Sequence, residues 1–162
     1  MKIIPYQYLL VISCLILSIA ASGCVDIGND VDELGESISQ ARTDLQFLQW
    51  AANSTGVILD DYSNIKNATS ERNTVLMEGS GRTLKEDSEK ALTELDSFSV
   101  SPSLQDVVAE YRDFLQRSYN CGDFVETNSQ TLDLEALEKT LEMINETSDL
   151  FSEISEMVEQ RN

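Results

Sequence analysis

Four stretches of the chain repeat apolar residues at alternating steps of three and four, and none of useful length alternates apolar with polar residues as a strand does. That rhythm lays the apolar side chains along one stripe of a helix, which another element must cover. The fourth stretch carries it most fully. Leu134, Leu137, Leu141, Ile144, Ser148, Phe151 and Val158 keep the steps, with Ile154 just beside them. Glu135 and Lys139 make a favourable i,i+4 pair on its surface. As a core position of this seam, Leu141 truncated to alanine is expected to cost roughly 2–5 kcal/mol.

The first stretch opens near Asp30, where Asp30 and Glu33 stand as N-cap and N3 acceptors. Val31, Leu34, Ile38, Ala41, Leu45, Leu48 and Ala52 form its seam, and Leu59, Tyr62 and Ile65 keep the rhythm beyond Gly56. Either one long helix tolerates that glycine or two helices meet there. The polar run from Asn67 to Thr74 reads as a turn with fresh cap residues.

The second stretch carries Val75, Leu76, Met77, Leu84, Ala91, Leu95 and Phe98, and Gly79-Ser80-Gly81 is its weakest point. Ser101-Pro102 supplies a cap followed by proline at the first helical position. Leu104, Val107, Val108, Tyr111, Phe114 and Leu115 then mark the third helix, and Gly122 offers it a left-handed C-cap. The fold this predicts is all-α: an up-down antiparallel bundle of about four helices over residues 30–162. Heptad seams also pair between chains, so a monomer and a helical oligomer both remain open.

Ahead of the periodic region the chain is of another kind. Lys2 gives one positive charge, Leu9 to Ala21 is apolar apart from Ser13 and Ser18, and small residues follow. The apolar part is about a dozen residues, short of the roughly 20 that a spanning helix needs. Ala21-Ser22-Gly23-Cys24 resembles the lipobox of prokaryotic membrane lipoproteins, with Ala21 where bacterial examples usually carry leucine. The resemblance implies a signal peptide over 1–23 and a lipid on the sulfur of Cys24, the new N-terminus. A tether over 24–29 would then span only about 20 Å at roughly 3.4 Å per residue. It also implies residence on the outer face of the cytoplasmic membrane. An uncleaved N-terminal transmembrane helix is the alternative, and it leaves the domain on the same side. With Cys14 removed and Cys24 alkylated, Cys121 stands alone, whereas ordinary cleavage would allow a Cys24–Cys121 disulfide.

Residues 24–162 hold all 29 acidic residues and ten of the Lys and Arg, a formal charge of −19. Such a surface repels nucleic acid and anionic headgroups, which excludes a nucleic-acid role. Histidine is absent throughout, and with it the commonest general base and transition-metal ligand. The segment Asp26 to Glu36 fails as a calcium loop, because counting from Asp30 puts Leu34 and Ala41 at ligand positions 5 and 12. Its acids read as helix-capping groups. Glu135, Glu138, Glu142, Glu146, Asp149, Glu153 and Glu156 read as a solvated helix face.

Cys121 has no histidine to complete a dyad, and only Arg117, one turn earlier, to lower its pKa, so it reads as a packed structural residue. Trp50 and the tyrosines are spaced as core and boundary residues and suggest no aromatic ligand cage. Sequons at Asn53, Asn67 and Asn145 are candidate N-glycosylation sites, against about two expected by chance in so polar a chain. With the acidic composition they lean towards an archaeal surface protein.

No catalytic, metal or cofactor residue emerges, and the acids fall mostly on outward helix faces. The reading is a lipid-anchored, non-enzymatic binding module at the cell surface. It would be held to the membrane at Cys24 and engage a protein or cell-envelope partner. A small ligand-binding lipoprotein, accessory to a transporter or membrane sensor, is the alternative.

Overall fold

A computed structural model describes residues 31–130 and 134–159. The expected signal 1–23, Cys24, the tether 24–29 and the cap at Asp30 lie outside the described residues. Among those described, four α-helices follow one another: α1 Val31–Ser70, α2 Thr74–Leu95, α3 Gln105–Asn128 and α4 Leu134–Glu159. A single 3-10 turn, Pro102–Leu104, leads into α3. There is no strand among the described residues, and the expected all-α bundle is what forms. No helix among them is long and apolar enough to cross a membrane.

Short connections force consecutive helices into antiparallel neighbours. The first is closed by Arg72, whose φ of 52° is left-handed. The N–H groups of Arg72 and Asn73 return to the carbonyls of Thr69 and Ala68, at 3.1 and 3.0 Å. This is a Schellman closure with arginine where glycine usually stands. Asn73 then caps α2, its Oδ1 accepting from the Leu76 N–H at 3.1 Å. At the opposite end the backbone N–H of Ser101 donates to Asp44 Oδ1 at 2.8 Å, and Gln40 Nε2 donates to the Ser99 carbonyl at 3.1 Å. The connection between α2 and α3 is thereby tied to α1.

Three helical glycines fall into two kinds. Gly56 lies within a continuous α1, facing open space, so the first stretch is one helix. Gly81 and Gly122 sit where α2 crosses α3. A Cβ at Gly81 would lie 2.6 Å from the Glu126 nitrogen, and one at Gly122 would lie 2.6 Å from the Lys85 nitrogen. Gly122 is therefore mid-helix and does not end α3, contrary to the C-cap expectation, and the Gly79–Gly81 segment is no weak point. The missing side chains let two backbones touch. Ion pairs frame the crossing, Lys85 to Asp123 at 2.6 Å and Arg82 to Glu126 at 2.9 Å.

Seams one and four hold in part and shift in part. Tyr62 and Ile65 are buried, and Leu137, Ile144, Phe151 and Val158 pack against the core as expected, while other members move off it. On α1 the buried line runs through Phe47, Thr55, Ile58, Tyr62 and Ile65, while Ile38 and Leu59 are 66% and 39% exposed. On α4, Thr140, Thr147, Leu150 and Ile154 are buried, Ser148 is exposed and Leu141 is 40% exposed. On α4 the reason is threonine. Thr140 and Thr147 donate their hydroxyls to the carbonyls of Ala136 and Met143, at 2.9 and 2.8 Å. With the hydroxyl satisfied by its own helix, the methyl faces the core as valine would. Val75 and Leu76, expected inside α2, are exposed, and Lys139 reaches Glu142 at 2.7 Å.

Candidate functional site

The core is unusually rich in hydroxyls, and these form two polar links across the bundle. In the first, Thr55 Oγ1 donates to the Tyr111 hydroxyl at 3.2 Å, which donates to the Ala51 carbonyl at 3.0 Å. In the second, the Tyr62 hydroxyl donates to Ser118 Oγ at 3.1 Å, and Ser118 to the Phe114 carbonyl at 2.8 Å. Both tie α1 to α3 through the interior, and burial raises the pKa of both tyrosines. These phenols stay neutral and act as donors.

Cys121 lies beside the second link, fully buried and free of any disulfide. Burial pushes its thiol up to about 12, against a hydrogen bond with Tyr62 that lowers it. Arg117 instead pairs with Asp113 at 2.8 Å. A thiol so protected is a packing group, as its sequence context indicates.

Among the described residues, Asp61 is the one acid drawn into the core, at 6% exposure. Its Oδ2 is buried and has no hydrogen-bond partner among the described residues. Burial, then the negative charge of Asp87 on α2, raises the carboxyl to about 7. Sequence reasoning put the acids on outward faces and missed this one. The signal was present: Ile58, Asp61 and Ile65 step by three and four, so Asp61 belongs to the buried seam once that seam is placed correctly.

An aromatic cluster closes the end of the bundle near the α2–α3 connection, built partly from Trp50 and Tyr111, whose spacing reads as core and boundary. Trp50 packs on Phe98 and Tyr111, with ring centroids 5.0 and 5.7 Å apart, and Phe47 lies 5.7 Å from Phe98. The Trp50 indole donates to Glu94 Oε2 at 2.8 Å. These rings fill one another's space, so they form a core and leave no cage.

Asn53, Asn67 and Asn145 are all exposed. Two residues along a helix turn the chain through more than half a circle, so the threonines Thr55 and Thr147 of two sequons point inward and are buried. No group of three metal-ligating side chains occurs among the described residues.

Between α1 and α4 lies a shallow cleft with about 30 Å³ of free space, lined by Leu59, Tyr62, Phe114, Ile144, Thr147 and Ser148. These two helices approach each other closely at few positions, whereas α2 and α3 are tightly packed. Comparison with family models, with curated proteins and with solved structures gave no match. The fold and site define a class only: an all-α helical bundle with a hydroxyl-linked core and one loosely joined edge.

Proposed function

We propose that this protein is a non-enzymatic binding module on the outer face of the cytoplasmic membrane, anchored by lipid at Cys24, and that it engages its protein or envelope partner along the α1–α4 edge. The observation that carries the reading is that edge. Leu59 and, from the facing helix, Ile144 line the cleft together with buried Phe114, and Leu141, three residues before Ile144, is 40% exposed. A half-exposed apolar border over a helix groove suits a partner helix or loop. The cleft is smaller than the roughly 300–1,000 Å³ of ordinary ligand pockets, which disfavours the small-ligand alternative. A photo-crosslinking residue at position 141 should give one dominant adduct in native membranes, and Leu59→Asp should abolish it. No adduct, or one that Leu59→Asp leaves unchanged, would sink the edge as the binding surface.

A further inference from the structure

The sequons Asn53-Ser-Thr55, Asn67-Ala-Thr69 and Asn145-Glu-Thr147 all lie within helices and expose their asparagines. The motif demands serine or threonine two residues after the asparagine, so a transferase reads both side chains together. On a helix, residues two apart do not share a face. A helical sequon must therefore unwind before it is modified, and these three differ in what unwinding breaks.

Asn53 and Asn145 lie well inside α1 and α4. Thr55 is buried and donates to the Tyr111 hydroxyl at 3.2 Å, so opening there tears a link between α1 and α3. Thr147 is 2% exposed and donates to the Met143 carbonyl at 2.8 Å, between buried Thr140 and Leu150. The third sequon is placed otherwise. Asn67 stands in the last turn of α1, which ends at Ser70. Thr69 is half-buried, and its hydroxyl has no hydrogen-bond partner among the described residues. Lifting Thr69 out of the helix forfeits no side-chain bond and lets a stranded hydroxyl reach water. The turn that follows is held by the returning N–H groups of Glu71, Arg72 and Asn73. Arg72 closes it in the left-handed region, which is costly for any residue but glycine. Asn73 caps α2 through its own side chain, so α2 keeps its start when the turn opens. The buried apolar side chain given up there is only Ala68.

We propose that the folded protein presents Asn67 as its N-glycosylation site, and that formation of the bundle closes Asn53 and Asn145 to the transferase. The donor is an oligosaccharide joined to a lipid through a phosphate or diphosphate. Asn67 Nδ2 bonds to the anomeric carbon of the first sugar as the bond from that carbon to the phosphate oxygen breaks. The electron pair leaves with the phosphate, and Nδ2 gives up one proton to a base of the transferase. Modification in the cell rests on the outer-face location proposed above.

The test uses the unglycosylated full chain, folded in mild detergent, with a purified oligosaccharyltransferase and its lipid-linked donor. Peptide mass mapping should find Asn67 modified about tenfold or more above Asn53 and Asn145, because helix ends open more readily than helix centres. Asn67→Gln should remove most of the added mass, and Thr69→Ala should do the same without lowering the thermal midpoint. Chain and enzyme meet in detergent, so failure here strikes the site, whereas failure of the outer-face reading shows in membrane fractionation. Equal modification of the three sequons on a chain with intact helical circular dichroism, or an unmodified Asn67, would overturn the proposal.

Discussion

Leu84 and Leu141 are the same residue type in the same kind of helix, yet their surroundings differ. Leu84 is fully buried where α2 meets its neighbours, and Leu141 stands 40% exposed on the open edge. Leu84→Ala should cost roughly 2–5 kcal/mol, because it deletes buried methyl groups and leaves a cavity. Leu141→Ala should cost only about 1 kcal/mol, well below the figure its sequence position suggested. Urea unfolding of the two variants side by side checks the difference, and equal losses would contradict the burial pattern. The misplacement of Leu141 shows what was legible. Tyr111, Phe114 and Leu115 on α3, and Leu84, Ala91 and Leu95 on α2, could be read as core because apolar residues fill their seams. Thr55, Thr140 and Thr147 could not, and Asp61 only once its seam is drawn through Ile58 and Ile65, because a pattern of apolar residues passes over a hydroxyl or carboxyl that the structure buries. The candidate site consists largely of such residues, so it was the least legible part of the molecule.

Helices α2 and α3 owe their closeness to two positions without side chains. At Gly81 and Gly122 an added Cβ meets backbone atoms, which cannot rotate away as a side chain would. Gly81→Ala should therefore destabilise the protein by about 1–3 kcal/mol, through forced separation of the helices. Gly56 offers the opposite case, a helical glycine facing open space. Gly56→Ala should stabilise α1 by about 0.5–1 kcal/mol, since alanine loses less backbone freedom on folding. Thermal melts followed by circular dichroism should shift in opposite directions, and a shift of the same sign for both would refute the close crossing. Glycine in a sequence reads as interruption, and at all three positions the helix continues. What decides the matter is the neighbour across the interface, which no local pattern contains.

At the scale of the whole molecule, the bundle is asymmetric in how firmly its edges are joined. The α2–α3 pair is locked by glycine contact and ion pairs, while α1 and α4 meet sparingly. This is the physical ground for placing a partner at the open edge. The proposed attachment through Cys24 makes a separate prediction. Cys24→Ser should leave an unprocessed precursor or shift the protein out of the membrane fraction, read by fractionation and intact mass. A wild-type protein with intact Met1 and no added lipid mass would refute the anchor.

The length of α1 has a mechanical meaning of its own. Its 40 residues make a rod of about 60 Å, nearly twice the roughly 33 Å of the 22-residue α2. Gln40 and Asp44 already contact the connection at the bundle's lower end, so the turns before them project past it. Under the proposed lipid anchor at Cys24, those turns would act as a rigid spacer that lifts the bundle further from the bilayer than a six-residue tether alone. A rod also transmits what a flexible tether absorbs. Under that proposal, a tilt or push delivered at Val31 would travel along a single unbroken helix to the Arg72 turn, with α1 as the lever.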